Sequence, residues 1–394
     1  MVVFPFGQAT KISLPFIPFP EVHLYFLDIL VFLLVGFWLF WHLISKKRFV
    51  LPNFWRSWLL FISLLFLSWL VNFKNFLIRE SFVGLLYWLR FVFYSSLSVV
   101  VFDLRHHGLE IKNFGRIFTF WGLVLAFSGL LQYFLMPDMR FLSPLGWDLH
   151  YYRVAGLFLD PNFMGILLVL GLLGVVGEIG GFGGDGGIEG YGKGWQKTVF
   201  LVIIGAPLLL TYSRSAYLAL TAGIGVWFYL KRKIHYFIFF LFAFLFLILL
   251  LPRPGGEGVK LERTASINQR LVSWKEALTL WRKFPLLGIG FNNYRYVSRD
   301  VGYLSGNDWQ VNHAGAGVEN SYLFLLATGG LLGLLGFFNW LKSIIKETLK
   351  LKNEKAGELI LISLAAIFVH AFFINSFFYP WVMIWFSFLI ANVN

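Results

Sequence analysis

Apolar residues in this chain come in long blocks, with no regular alternation at a strand or surface-helix period. A helix needs roughly 20 mostly apolar residues to cross a bilayer. Eleven blocks approach or meet that length, near 22–45, 55–74, 81–103, 114–136, 155–177, 197–212, 214–231, 234–251, 319–341, 358–378 and 380–394. The sixth and the last are short. Because these blocks are apolar on every side, amphipathicity does not say which face meets protein. The pattern predicts an all-α, polytopic transmembrane helix bundle of about 11 helices. It divides into a bundle over 1–251, a long loop over 252–318, and C-terminal transmembrane helices over 319–394.

Composition makes the bilayer a necessary partner. Of 394 residues, 58% are hydrophobic and 13% are charged, against about 25% charged in soluble domains. A soluble core of this size cannot hide so much apolar surface. With 47 Phe, 16 Trp and 16 Tyr, aromatic rings are plentiful enough to populate both membrane interfaces. The chain has no Cys, which excludes disulfides and thiolate chemistry. The N-terminus lacks a basic stretch before an apolar one and is interrupted by Pro5, Pro15, Pro18 and Pro20. It reads as a lead-in to the first helix on the outer side rather than as a cleaved signal peptide.

The net charge of +13 could suggest nucleic acid, but most of it lies in short loops between apolar blocks, which is a membrane-topology pattern and implies no nucleic-acid partner. Lys46, Lys47, Arg48 and Arg56 share one loop, and Arg105, Lys112 and Arg116 another. Lys231, Arg232 and Lys233 form a third group, and Lys342, Lys346, Lys350, Lys352 and Lys355 a fourth. With Lys193 and Lys197 this face holds 17 basic residues. The other face holds 15, nine of them in 252–318, so short loops compare as 17 against 6. Positive short loops stay cytoplasmic. The expectation is an N-terminus outside, a C-terminus inside, and the long loop outside the plasma membrane. The two faces also differ in kind: 12 Lys and 5 Arg inside, 5 Lys and 10 Arg outside. Topology needs only charge, whereas the planar fork of Arg suits paired binding of phosphate oxygens.

The glycine-dense stretch 177–194 has no GK[ST] after it and no strand before it, and falls on the inner face. It reads as a flexible cytoplasmic linker. Within the long loop, 265–283 reads as an amphipathic helix with Leu271, Trp274, Ala277, Leu278 and Trp281 on one side. Such a helix can lie on the outer membrane surface.

Stretches able to carry chemistry gather on the outer face. Tyr152-Arg153-Val154-Ala155-Gly156 is followed by Asp160-Pro161-Asn162 where the fifth helix begins. Backbone groups freed near a helix start can serve an anion or a sugar hydroxyl, although Asp160 also suits a plain first-turn position. Thr211-Tyr212-Ser213-Arg214-Ser215 forms a tight hairpin. There Arg214 either anchors at headgroups or serves a phosphate. In the long loop, Arg263 and Asn268-Gln269-Arg270 precede Pro285-Leu286-Leu287-Gly288-Ile289-Gly290-Phe291-Asn292-Asn293-Tyr294. His313 and then Glu319-Asn320-Ser321-Tyr322 lead into the next helix. His313 and Glu319 are the candidates for proton transfer beside Arg, with a solvated His and a helix-start charge as the plainer readings. Arg90 lies near the middle of the third helix, where charge is expensive and faces the bundle interior. It either binds substrate or pairs with Asp28.

The order R-x-x-G-x-x-x-D-P-N from Arg153 to Asn162, then T-x-S-R-S, then R-x-x-x-W-x-x-A-L and F-P-L-L-G-I-G-x-N-x-Y, then E-N-S-Y-L-x-L-L-x-x-x-G-x-x-G, resembles the O-antigen ligase and O-antigen polymerase superfamily. The resemblance covers about 80–340. It implies a GT-C-like glycan transferase that moves a saccharide from an undecaprenyl-diphosphate carrier to a glycan or lipid acceptor at the outer membrane face, with no metal ion, cofactor or nucleotide sugar. In that frame Arg214 and Glu319 or His313 are catalytic. Arg153, Asp160, Asn162, Tyr212, Ser213, Arg263, Arg270, Asn292, Asn320, Tyr322 and Arg90 would line the substrate. One departure stands out: ligases of this family often carry His directly before the Asn that opens the late helix, and here that residue is Glu319. A transporter of polyprenyl-linked glycan is the competing reading. It calls for internal repeats and mid-membrane site residues, whereas the candidates here sit at one face.

The absence of Cys makes the topology directly testable. Glu257→Cys should react with a membrane-impermeant thiol reagent in intact cells; labelling only after permeabilisation would reverse the assignment of faces.

Overall fold

The structure is a computed structural model that describes residues 3–12, 21–108, 114–145, 150–179, 194–304, 309–310, 317–351 and 354–393. The glycine-dense linker and His313 lie outside the described residues, apart from the ends of the former. The protein is all-α, with one two-stranded ribbon in which β1 (Lys11–Ile12) pairs antiparallel with β2 (Leu24–Tyr25). Every expected apolar block is helical: α1 (Phe26–Ser45), α2 (Trp55–Asn72), α3 (Ile78–His106), α4 (Phe114–Leu135), α5 (Pro161–Ile179), α6 (Gly194–Leu209), α7 (Arg214–Leu230) and α8 (Ile234–Leu249), then, after the loop helices α9 (Ala265–Lys283) and α10 (Tyr294–Asp300), α11 (Ser321–Thr348), α12 (Glu354–Ala371) and α13 (Pro380–Ile390).

Among the described residues five helices, α1, α2, α3, α4 and α11, are long and apolar enough to span a membrane, where the sequence led us to expect about eleven spans. Four further apolar stretches, Pro161–Gly177, Trp195–Leu209, Ile234–Leu249 and Pro380–Ile390, are shorter. For these four the difference is one of length. The 11 residues of α13 rise only about 16 Å, roughly half of a ~30 Å hydrocarbon core.

The chain folds into two compact units, each discontinuous in sequence. They cut across the three-part sequence division because packing and membrane topology are different criteria. The first unit comprises Met1–Ala9, Ile111–Thr264 and Leu351–His370. Its centre is α5, whose residues Leu167, Leu168, Val169, Leu170, Leu173 and Val175 are fully buried. Around it pack α4, α6 and α7, with α8 against α7. The α4–α5 contact is close because Gly122 faces Gly171, and a Cβ on Gly122 would lie 2.9 Å from the Gly171 Cα. Lipid gives helices no hydrophobic reason to associate, so small residues that admit close van der Waals contact supply it.

The second unit comprises Thr10–Glu110, Ala265–Lys350 and Ala371–Asn394. Here α11 packs on α2 and α9, α13 on α3, and α1 on α3. The helix expected over 265–283 forms as α9. Ala277 and Leu280 are buried while Leu271 is 55% exposed, so its C-terminal half supplies most of the packed face. The helix α11 is broken at Gly330, whose backbone is left-handed at φ 68°. The segment 285–289 lies in the break. Leu331 N donates to Pro285 O at 2.9 Å, Leu332 N to Leu286 O at 3.1 Å, and Ile289 N to Ala327 O at 2.9 Å. Asn72 Nδ2 donates to Gly288 O at 3.1 Å, and Ser68 Oγ to Thr328 O at 2.7 Å. A broken helix is tolerated at membrane depth only when its freed backbone groups find such partners.

Gly330 has no room for a side chain, since a Cβ there would lie 2.2 Å from Leu286 O. Gly330→Ala should therefore lower thermal stability in detergent, at a cost of at least about 1–3 kcal/mol for the backbone conformation alone. Gly205→Ala, with nothing within 4 Å of the added methyl, should leave the melting temperature unchanged. Equal melting of the two variants would show that the break is not held as described.

Candidate functional site

In the first unit the motif stretches around 153, 162 and 212–214 fold onto one another. Asp160 precedes α5, and its Oδ1 accepts from Asn162 N at 2.6 Å and Phe163 N at 3.3 Å, the work of an N-terminal cap. The hairpin between α6 and α7 is fixed to that helix start by Ser213 Oγ, which donates to Asn162 Oδ1 at 2.9 Å. Val154 N donates to Leu210 O at 2.9 Å. Gln132 Oε1, on α4, accepts from Ala155 N at 2.9 Å and Gly156 N at 3.1 Å.

Three arginines converge on the hairpin. Arg153, only 6% exposed, donates from Nε to Thr211 O at 2.9 Å and from a terminal nitrogen to Tyr212 O at 3.5 Å. Arg263 reaches the same Tyr212 O at 3.4 Å and also donates to Gly258 O at 2.6 Å and Lys260 O at 2.9 Å. Arg214 donates to Leu261 O and Arg263 O, each at 3.1 Å. Residues up to 110 positions apart (153 to 263) thus share one small volume. Carbonyl acceptors position a guanidinium without cancelling its charge, so the arrangement suits a polyanion. The Tyr212 hydroxyl donates to Pro252 O, and burial pushes its pKa up to about 12.

Backbone strain falls on the same stretches. Six non-glycine residues among those described have positive φ, and four of them, Tyr152, Leu159, Tyr212 and Asn292, lie in or beside the motifs. Such conformations cost of order 1–3 kcal/mol each and gather where function demands them.

In the second unit, Arg270 Nε donates to Glu319 Oε2 at 2.8 Å, and Trp274 Nε1 to Glu319 O at 3.4 Å. The Glu319 side chain stays 56% exposed. Asn320 caps α11, its Oδ1 accepting from Tyr322 N at 2.9 Å and Leu323 N at 3.0 Å. Tyr322 is packed among Phe338, Phe372 and Phe377. Asn292 follows the segment paired with α11 and has φ 62°. Arg90 forms the internal pair weighed above beside substrate contact. Its Nε and a terminal nitrogen donate to the two Asp28 oxygens at 2.8 and 2.9 Å, and the Tyr94 hydroxyl donates to the same carboxylate at 2.7 Å.

One group among the described residues could hold a metal ion: His42, Asp103 and His107, with ligand atoms within 4.8 Å of one another. The Asp103 carboxylate is already occupied. It accepts from Trp38 Nε1 at 2.8 Å, His42 Nε2 at 2.7 Å and Val50 N at 2.7 Å, which joins α1 to α3. None of the motif residues takes part.

Sequence reasoning passed over His150 and Gln132. His150 is 5% exposed, and its Nδ1 has no hydrogen-bond partner. The signal was a second loop histidine, three residues before Arg153. The backbone pins it in place: Met139 N donates to His150 O at 2.9 Å, and Tyr152 N to Pro137 O at 2.8 Å.

The fold defines a multi-pass membrane protein, with the buried Arg153 and the half-buried Arg214 and Arg263 gathered at a helix hairpin. Residues 199–338 match the family profile described as O-antigen ligase, which bears out the resemblance read from the motifs. The match spans α6 to most of α11, including Arg214, Arg263, Arg270 and Glu319. It supports a glycan-transferring membrane enzyme of surface polysaccharide biosynthesis. Comparison with curated proteins gives no match.

Burial first, and then the positive charge of Arg153 and Arg263, depress the His150 pKa to about 3. The unfolded chain, with His near 6.5, therefore binds more protons between those two values, and stability falls as pH drops below about 6.5. At pH 5 the loss is about 2 kcal/mol from this group. His150→Gln should flatten the dependence of melting temperature on pH between 7 and 5; an unchanged slope would show that His150 is not a buried neutral group.

Proposed function

We propose that the protein transfers a saccharide from undecaprenyl diphosphate to a glycan or lipid acceptor at the outer face of the plasma membrane, with its N-terminus outside and its C-terminus cytoplasmic. The convergence of Arg153, Arg214 and Arg263 on the carbonyls of Tyr212 and 258–263 carries this reading. Like charges gather at a cost in a low-dielectric setting, and a diphosphate repays it. The bonds to Tyr212 O, at 3.4 and 3.5 Å, are long and are readily exchanged for phosphate oxygens.

In the reaction the bond between the anomeric carbon and the diphosphate oxygen breaks, and a bond from that carbon to the acceptor oxygen forms. Undecaprenyl diphosphate leaves with the electron pair, and the acceptor hydroxyl gives up its proton. The leaving group is already good, so catalysis consists mainly of stabilising charge that develops on it. Arg153, Arg214 and Arg263 take that role, with Tyr212, Ser213, Asp160 and Asn162 shaping the hairpin that holds them. Glu319 is the first candidate to receive the proton and His313 the second. Glu319 is oriented by Arg270 and exposed enough to meet an acceptor. Asn292, Asn320, Tyr322 and Arg90 serve as positioning residues in this scheme. Neither a metal nor another cofactor is required by this chemistry.

Turnover by the purified protein, supplied with lipid-linked oligosaccharide and a series of acceptors, tests the scheme. Arg214→Ala should lower the rate on the order of 10²–10³, the usual loss for one charge-stabilising donor. Arg214→Lys should fall between, because it keeps charge but not the fork. Glu319→Gln should lose most activity while retaining donor binding. Wild-type turnover in both arginine variants would remove the diphosphate role, and wild-type turnover in Glu319→Gln would leave His313 or no base at all.

A further inference from the structure

The first unit carries an apolar groove of about 620 Å³ along α4. Pro5, Phe6, Phe120, Trp121, Val124 and Phe127 line it, with Arg116 near one end and Ser128 near the other. From 116 to 128 is twelve residues, which at 1.5 Å each is about 18 Å along the helix. One leaflet contributes about half of the ~30 Å hydrocarbon core. The groove is therefore as long as a single hydrocarbon chain reaching inward from one interface.

Its back wall is built from close-fitting parts. Phe4 stacks on Trp121 with ring centroids 4.1 Å apart and planes 8° from parallel, and both rings are buried. The N-terminal 3-10 segment Phe4–Thr10 reaches this position through Gly7, at φ 52°. A Cβ there would lie 2.6 Å from Leu157 O. The rim faces outward, with Phe120 60% and Phe127 68% exposed. Arg116 is one of the 17 basic residues of the lysine-rich face. Among the described residues it has no carboxylate or hydrogen-bond partner.

We propose that this groove binds one anionic phospholipid of the adjacent leaflet, with a hydrocarbon chain along α4 and its phosphate on Arg116. A basic side chain beside an apolar cleft at a membrane interface matches a lipid of negative headgroup, since arginine pairs with phosphate oxygens and the lining, Ser128 apart, offers the chain apolar contact. A polyprenyl carrier fits poorly, because its chain far exceeds the groove. The site is independent of the glycan-transfer reading and involves none of the residues assigned to it.

Native mass spectrometry of the detergent-purified protein tests the proposal, using phosphatidylglycerol and phosphatidylcholine of identical acyl chains. One phosphatidylglycerol should be retained, with about fivefold preference over phosphatidylcholine, the effect of one basic residue near an anionic headgroup. Arg116→Ala should bring the two lipids to equal retention without reducing the melting temperature. Val124→Trp, which fills the groove, should reduce retention of both. No retained lipid, equal retention by the wild type, or a preference that survives Arg116→Ala would overturn the site. So would displacement of phosphatidylglycerol by a lower concentration of undecaprenyl phosphate, which would make the groove a carrier site.

Discussion

The second unit depends on a broken helix whose open backbone groups are closed by another segment. At Gly330 the α11 backbone turns left-handed, and the 285–289 segment supplies the hydrogen-bond partners that the helix itself cannot. In water such a break would be solvated and cheap. In hydrocarbon each unpaired backbone group costs several kcal/mol, so the break and its complement must form together. This explains why F-P-L-L-G-I-G stands as a motif at all. Its glycines and apolar side chains allow a turn segment to lie against α11, and Ser68 and Asn72 on α2 complete the pairing.

The same use of carbonyls recurs, with a different result, around the hairpin of the first unit. Arg153, Arg214 and Arg263 all donate to backbone oxygen. The left-handed Tyr212 turns its carbonyl toward two of the three guanidinium groups. Burial first, and then the charge of Arg153 and Arg263, opposes protonation of the neighbouring His150. Arg90 shows the contrast. Its bidentate pairing with Asp28 neutralises the charge inside a membrane helix, where an uncompensated one would be costly.

Much was legible in the sequence because lipid is a simple solvent. The apolar blocks had to be helices, since only a helix satisfies its own backbone in hydrocarbon, and each block is one. The ordered motifs were enough to point to the O-antigen ligase superfamily. Arg153 and Arg214 were singled out as unusual charges at one face, with Arg263 and Arg270 both open as candidates in the long loop. Proximity among them was an inference from shared chemistry, and sequence separation gave no means to check it.

Tertiary structure decided the rest. That Asp160 spends its carboxylate on a helix cap, that Arg90 belongs to Asp28, and that Glu319 is held by Arg270 follow from which partner comes within hydrogen-bond distance. Composition and spacing left each of these open between two readings. His150 and Gln132 carried no pattern, because a lone polar residue in a loop or an apolar helix is ordinary until its partners and burial are known. The composition determined the solvent, and with it the secondary structure and the class of the protein. The pairing of individual donors and acceptors came only with the fold, because a hydrogen bond depends on a few ångströms of three-dimensional distance that a one-dimensional pattern does not encode.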